Sequence, residues 1–69
     1  MTTAQRILAE FDRAYPASLS DEDLATRLDK PQASIRRTRR QLYEMRQIRY
    51  YGLDVSANQE TYVAWKYGE

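Results

Sequence analysis

The sequence predicts a small α+β domain in which three helices precede a C-terminal antiparallel β-hairpin. Apolar residues recur at helical spacing over the first two-thirds of the 69 residues, and two runs rich in β-branched or aromatic residues follow. A chain this short has few elements, because it buries only roughly 60% of the surface that its unfolded form exposes. We therefore predict one domain over residues 1–69.

The first helix is predicted to end at or just before Tyr15, because Pro16 restricts the backbone of the residue before it. Thr2 or Thr3 is predicted to cap this helix, and Thr2 has the spacing of a capping box with Gln5. Its apolar face is predicted to comprise Ile7, Leu8, Phe11, Ala14 and Tyr15.

The second helix has the clearest start signal. Ser20 is a favourable N-cap, and the three acidic residues after it face the positive end of the helix dipole. Leu19 and Leu24 occupy the two positions of a hydrophobic staple, so both are predicted to be buried. The Asp-Lys-Pro sequence at 29–31 breaks the helix, and the closely following third helix makes the pair a helix-turn-helix candidate.

The third helix is predicted from Pro31, as its first residue, to about Arg46. Its apolar stripe falls at helical spacing and consists of Ile35, Thr38, Leu42 and Met45. Arg39 flanks this stripe. The residues predicted to lie away from the stripe are Ala33, Arg36, Arg37 and Arg40.

After the third helix the pattern changes to that of a hairpin. Residues 48–51 form the first predicted strand, which Gly52 closes, and residues 61–67 form the second. Residues 53–60 make a polar turn between them, and residues 16–18 are a candidate third strand.

The second strand is predicted to pack on the helices through Val63 and Trp65, which share one of its faces. The predicted core therefore joins Trp65 to the apolar residues of the helices. Those residues are Leu19, Leu24, Leu28, Ile35 and Leu42.

Charge is unevenly distributed, although the net charge is only +1. Residues 20–29 include four acids and one base, whereas residues 35–50 include six arginines and one acid. Four of these arginines fall within five consecutive positions of the third helix, where like charges three or four residues apart repel. Because a polyanion would relieve this repulsion, we predict nucleic acid as the partner, with an acidic protein as the alternative.

The composition argues against catalysis and metal binding. These 69 residues include no cysteine and no histidine, the residues that hold zinc and supply most nucleophile–base pairs. Helix capping explains the acidic cluster at 21–23 better than a metal or general-acid site does. No stretch approaches the ~20 apolar residues of a membrane span, and no signal peptide is evident. We predict no catalytic residue, cofactor, metal or membrane partner, and a cytoplasmic protein.

Residues 24–48 follow a recurrent order of apolar positions around a turn. The positions are Leu24 and Ala25, then Leu28, the turn, Ser34 and Ile35, Leu42 and finally Ile48. This order resembles the winged helix-turn-helix domains of bacterial and phage transcription regulators. The resemblance implies a three-helix winged helix-turn-helix fold with a C-terminal antiparallel β-hairpin wing, and sequence-specific duplex DNA binding by a small transcriptional regulator.

The sequence departs from this family's pattern at three places. Residues 46–47 are Arg-Gln where family members often have Gly-Leu, and Arg39 stands where many place a core leucine. Asp54 and Glu60 make the wing tip acidic, whereas many DNA-binding wings are basic. We therefore expect the tip to be mobile and to add little to DNA affinity.

The resemblance places the third helix in the major groove of DNA, with its N-terminal half facing the base edges. Arg36 and Arg37 are then predicted to reach guanine edges, because the guanidinium fork matches two guanine acceptors. Arg40, farther along the helix, is predicted to contact a phosphate.

Four further residues complete the predicted DNA-binding set. Gln32 and Ser34 are the predicted discriminators between base pairs, although a surface glutamine and a serine bonded to its own backbone explain them equally well. Lys30 and Arg49 are predicted to contact flanking phosphates.

Two other interpretations stay open. Exposed aromatic residues interleaved with arginines can stack on single-stranded nucleic acid, and Tyr50 and Tyr67 are the candidates for that role. Alternatively, the domain is a winged-helix protein-interaction module whose arginine face binds an acidic partner. We expect a monomer in isolation, with a dimer on DNA possible.

Overall fold

A computed structural model of the chain describes residues 1–66 as three helices and a three-stranded antiparallel sheet. The elements in order are α1 (Thr3–Ala14), β1 (Leu19–Ser20), α2 (Asp21–Leu28), α3 (Gln32–Glu44), β2 (Ile48–Asp54) and β3 (Gln59–Ala64). The strand order is β1-β3-β2, so β3 is central and β2 forms one edge. The α+β class predicted from the sequence is confirmed. None of the helices within residues 1–66 is long and apolar enough to cross a membrane.

The first two helices begin at reciprocal capping boxes. The Thr2 hydroxyl accepts from the Gln5 N–H at 3.2 Å, and the Gln5 side-chain oxygen accepts from the Thr2 N–H at 2.9 Å. Ser20 and Asp23 make the same exchange with both distances at 3.1 Å. The predicted N-cap Ser20 is therefore confirmed, and Thr2 is the N-cap of α1 of the two candidates Thr2 and Thr3. Each box satisfies two backbone donors that the helix leaves without an intrahelical acceptor.

The third helix is shorter at both ends than predicted. Pro31 is the N-cap, not the first helical residue, and the helix ends at Glu44. The chain then turns at Arg46, which has a left-handed φ of 61°, and the Arg46 N–H donates to the Tyr43 carbonyl oxygen at 3.0 Å. This turn directs Met45 into solvent with 65% of its surface exposed, so its assignment to the apolar stripe is wrong.

The hydrophobic core joins all three helices to one face of the sheet. It consists of Ile7, Phe11, Leu19, Leu24, Leu28, Ile35, Leu42, Ile48, Tyr62 and Ala64. The five aliphatic residues predicted for α2, α3 and the segment before α2 are all among them. Trp65 is not, because 48% of its surface is exposed, and its predicted place in the core is wrong.

The faces of β3 are the reverse of the predicted ones. Tyr62 and Ala64 pack in the core, whereas Val63 is buried outside that cluster. The strand ends at Ala64, and the Trp65 N–H lies 3.3 Å from the Gln47 carbonyl oxygen. Both faces of β3 carry apolar residues, so alternation alone leaves the choice of inner face open. The predicted continuation to Tyr67 lies outside the described residues.

The third strand lies later in the chain than predicted. Residues 16–18 form no strand, because the Ala17 N–H bonds back to the Ala14 carbonyl oxygen at 2.8 Å and holds a turn. Leu19 and Ser20 form β1 instead and pair with β3 opposite Tyr62 and Thr61. The strand therefore places the N-cap of α2 directly on the sheet.

The hairpin contains a β-bulge in its edge strand. Tyr50 lies opposite Tyr62, and the next pair joins Gly52 to Thr61, which leaves Tyr51 as the extra residue. The Thr61 hydroxyl donates to the Gly52 carbonyl oxygen at 2.7 Å. The strand then runs on to Asp54, beyond the end predicted at Gly52.

We predict that Leu42→Ala lowers the free energy of unfolding by about 2–5 kcal/mol, because it leaves a cavity in the buried core. Met45→Ala is the matched control three residues later. Since Met45 is exposed, its truncation should change stability by less than about 0.5 kcal/mol. Urea denaturation measures both variants, and equal losses would contradict this description of the core.

Candidate nucleic-acid interface

The exposed face of α3 carries three arginines. Arg36, Arg37 and Arg40 are all exposed, and the helix turns Ile35 and Leu42 into the core on its other side. A shallow groove runs along this face. Its lining residues are Ala33, Arg36, Arg37, Arg40, Gln41 and Glu44.

The exposed arginines are only loosely held by neighbouring acids. Arg36 Nε lies 3.7 Å from an Asp21 carboxylate oxygen, and Arg40 Nε lies 3.7 Å from a Glu44 oxygen. Charge-assisted hydrogen bonds are about 2.7–2.9 Å long, so neither contact is a close one. Arg37 forms no ion pair within residues 1–66. Three guanidinium groups are therefore available to acceptors from another molecule.

Arg39 differs from the other three arginines because it is folded into the protein. Its Nε and Nη2 atoms donate to the two oxygens of Asp21, both at 2.8 Å. Only 13% of its side chain and 14% of the Asp21 side chain are exposed. Its guanidinium carbon lies 4.4 Å from the centre of the Tyr62 ring, in the range of a cation–π contact.

Tyr62 links this ion pair to the hairpin. The rings of Tyr43 and Tyr50 meet it edge-on, with centroid distances of 5.8 and 5.7 Å. The Tyr62 hydroxyl donates to a Glu60 carboxylate oxygen at 3.2 Å. Residues of α2, α3, β2 and β3 therefore meet around one aromatic ring.

The electrostatics of this cluster follow from its hydrogen bonds and burial. The hydrogen bond to Asp21 raises the pKa of Arg39 above its usual value, although burial opposes the increase. Burial raises the pKa of Tyr62, because its phenolate would be poorly solvated there. Arg39 therefore stays charged and Tyr62 stays neutral across the physiological range.

Most of the predicted site residues come together on one surface. Gln32 and Ser34 lie exposed in the first turn of α3, next to the three exposed arginines in the helix. Lys30 is half-buried in the turn between α2 and α3. The first turn of α3 contains no acidic residue, and Pro31 provides no side-chain cap.

Arg49 lies apart from these residues. It pairs with Val63, whereas the next pair along the sheet joins Tyr50 to Tyr62, which contacts α3 through Arg39. Neighbouring residues on a strand point to opposite faces, so Arg49 is on the sheet face away from α3.

Carboxylates border the arginine face on the hairpin side. A polar cleft separates the first half of α3 from the start of β3 and is lined by Asp21, Gln32, Arg36, Arg39, Asn58, Gln59 and Glu60. The Gln59 amide also donates to Glu22 at the start of α2. The charges of the two arginines and the two acids in the cleft balance. The uncompensated positive charge of α3 therefore lies on the side of Arg37.

Sequence reasoning missed the Asp21–Arg39 pair. Arg39 follows Ile35 by four residues and precedes Leu42 by three, which is the spacing of a position on the buried stripe. Helix capping fully accounted for Asp21, so nothing in the sequence required a second role for it. A charged residue at buried spacing was the available signal, since such a residue needs a partner.

We predict that Asp21→Ala lowers the free energy of unfolding by about 1–3 kcal/mol, because it leaves the Arg39 guanidinium without its acceptor. A double-mutant cycle with Arg39→Met should give a coupling energy above about 1 kcal/mol. The corresponding cycle with Arg36→Ala is the control and should give less than about 0.5 kcal/mol, since that contact is long and exposed. Equal coupling energies would contradict the distinction between Arg39 and Arg36.

No family model, curated protein or solved structure matches this chain. The function is therefore inferred from the residues that the structure brings together on α3.

Proposed function

We propose that this chain binds duplex DNA through the exposed face of α3, as a winged helix-turn-helix domain. The observation that carries the proposal is the set of three exposed arginines on one helix face, of which Arg37 forms no ion pair within residues 1–66. The order of three helices and a hairpin agrees with the fold that the sequence resembles. The DNA-binding surface consists of the residues of α3 and of the turn before it.

The charge distribution favours nucleic acid over a solvated surface. Arg36 and Arg37 are adjacent, and Arg40 follows them by four and three residues. At this spacing the three positive charges repel one another and destabilise the helix. The structure contains closer acids for Arg39 but not for these three. A phosphate backbone supplies regularly spaced negative charge, and binding releases the counterions condensed on it.

The α-helical geometry favours the major groove, which is wide enough to admit a helix. Residues in the first half of such a helix lie closest to the base edges, so Arg36 and Arg37 contact guanines and Arg40 contacts a phosphate. Gln32 and Ser34 in the first turn contribute to discrimination between base pairs. A protein that contacts base edges through this surface serves as a small sequence-specific transcription regulator.

Of the two residues predicted to contact flanking phosphates, Lys30 fits this surface. It lies in the turn that precedes α3, where side chains reach the backbone beside the groove. Arg49 lies on the sheet face away from α3, so the proposed surface does not include it. The acids of the hairpin-side cleft repel phosphates, which directs the DNA backbone toward Arg37 and Arg40.

We predict that Arg37→Ala weakens binding to a selected duplex by about 1–3 kcal/mol and relaxes the preference at one base pair. Arg40→Ala should weaken binding to all duplexes alike and reduce the salt slope of the binding constant by about one unit. Fluorescence anisotropy at several salt concentrations, on a selected and on a random duplex, measures both effects. Arg6→Ala is the control, because Arg6 is exposed on α1 and forms no ion pair within the described chain.

The three arginine variants also test the alternative of an acidic protein partner. If Arg36→Ala, Arg37→Ala and Arg40→Ala bind random duplex as tightly as the unaltered chain and with its salt slope, α3 does not contact DNA. The arginine face is then assigned to a protein. If Arg6→Ala weakens binding as much as Arg37→Ala, the effect is one of net charge and the assignment to α3 is wrong.

A further inference from the structure

The edge strand β2 exposes apolar residues along an unpaired backbone. It pairs with β3 on one side, and within residues 1–66 no strand pairs with its other side. Tyr50, Tyr51 and Leu53 have 47%, 66% and 52% of their surfaces exposed. An edge strand with exposed apolar side chains is a template for another strand, and proteins usually shorten, charge or cover such edges.

The bulge interrupts the usual alternation of side chains between the two faces of the sheet along β2. Cross-strand partners share a face. Arg49, Gly52 and Asp54 therefore lie with Val63, Thr61 and Gln59 on the outer face of the sheet, and only the Gln59 side chain of this set turns back to Glu22 at the start of α2. Tyr50 and Leu53 lie with Tyr62 and Glu60 on the face that packs on the helices.

The extra residue Tyr51 completes the pattern. At a bulge two residues of one strand oppose one residue of the other. Tyr51 lines a depression with Gly52, Leu53 and Thr61 but not with Tyr50 or Tyr62, so it lies with Gly52 opposite Thr61 on the outer face. The side chains of residues 49 to 54 therefore lie on the outer, inner, outer, outer, inner and outer faces in turn. This order of faces is the same from either end of the segment. Without the bulge, Arg49 and Asp54 would lie on opposite faces, because they are five residues apart.

We propose that a second copy of this chain pairs with β2 through its own β2, antiparallel, with Arg49 of each copy opposite Asp54 of the other. This register places Tyr50 opposite Leu53 and Tyr51 opposite Gly52. Directly opposite residues of an antiparallel pair point to the same face, and the symmetric order of faces satisfies this condition at every position. The contact is isologous, so one strand supplies both halves of it.

The charges at the two ends of the segment match in this register. Each Arg49 faces an Asp54, and no like charges are opposite each other. Arg49 forms no ion pair within residues 1–66, so the contact uses a free guanidinium group. Hydrogen bonds from the Ser56 hydroxyl at 2.8 Å and the Ala57 N–H at 3.4 Å lower the pKa of Asp54, which keeps its carboxylate ionised.

Gly52 provides a second, independent observation. Its φ lies outside the left-handed range that favours glycine, and a Cβ atom built on it meets no atom within 4 Å. The bulge beside Gly52 is not the kind that needs a left-handed glycine, so the single chain gives no steric reason for glycine at this position. In the proposed pair, the ring of Tyr51 from the second copy covers the open space over Gly52. The inference differs from the expectation of an isolated monomer and does not depend on DNA binding.

Gly52→Val separates pairing from folding. Valine favours strands and has open space in the single chain, so the variant should keep or increase the melting temperature. The valine side chain fills the place of the Tyr51 ring, so self-association should weaken by at least about tenfold in Kd. Sedimentation equilibrium without DNA, up to about 1 mM protein, measures the association of both chains.

Charge reversal tests the register. Arg49→Asp places like charges opposite each other, and so does Asp54→Arg, so each variant alone should be monomeric under conditions where the unaltered chain pairs. An equimolar mixture of the two restores both opposite-charge contacts and should form the heterodimer. Because Asp54→Arg also removes the turn hydrogen bonds of Asp54, its melting temperature is measured before mixing.

Three outcomes would overturn the proposal. The unaltered chain could remain monomeric at the highest concentration, as it would if an unrelated strand normally covers this edge. Gly52→Val could associate as strongly as the unaltered chain, which would place the contact elsewhere. The mixture of charge variants could fail to pair, which would exclude the register. All three outcomes are measured without DNA, so they are independent of the results with the arginine variants of α3.

Discussion

The Asp21 carboxylate determines which face α3 turns outward. It holds Arg39 through two hydrogen bonds of 2.8 Å, and Arg39 lies against the Tyr62 ring of the central strand. Because Asp21 is the first residue of α2, one side chain joins the start of that helix to the middle of α3 and to the sheet. Rotation of α3 about its axis would break these contacts together, so the helix presents its other arginines to solvent in one fixed arrangement.

The same pair divides the arginines of α3 into two classes. Removing one partner of a largely buried ion pair is costly, because the other charge then lacks its acceptor, so Arg39 serves the fold. Exposed ion pairs contribute little to stability, so Arg36 and Arg40 can exchange their distant acids for other acceptors at small cost. A net charge of +1 conceals this division, since five of the ten acids lie at the start of α2 and in the hairpin, whereas the available arginines lie on one helix face.

Local interactions were predictable from the sequence, and longer-range ones were not. Both capping boxes join residues three positions apart, so Ser20 and the choice between Thr2 and Thr3 could be predicted without knowledge of the fold. The prediction that Trp65 packs in the core was wrong because the inner face of β3 depends on where that strand begins and on which residues it pairs with. The Asp21–Arg39 pair was missed because Asp21 lies eighteen residues from Arg39 and already had a local explanation. The prediction for Met45 was wrong because the helix ends at Glu44, two residues earlier than predicted, and the chain turns at the left-handed Arg46.

The two proposed surfaces use different parts of the fold, and together they constrain the DNA site. A two-fold axis that pairs β2 strands is perpendicular to the sheet, so the helices of both copies lie on the same side of one continuous sheet. The two α3 helices are then related by the same axis. A DNA site that accommodates both must contain two half-sites with matching two-fold symmetry, at a separation that the pair of helices fixes. Self-pairing through β2 therefore implies an inverted repeat, whereas a monomer bound through α3 alone places no symmetry on its target.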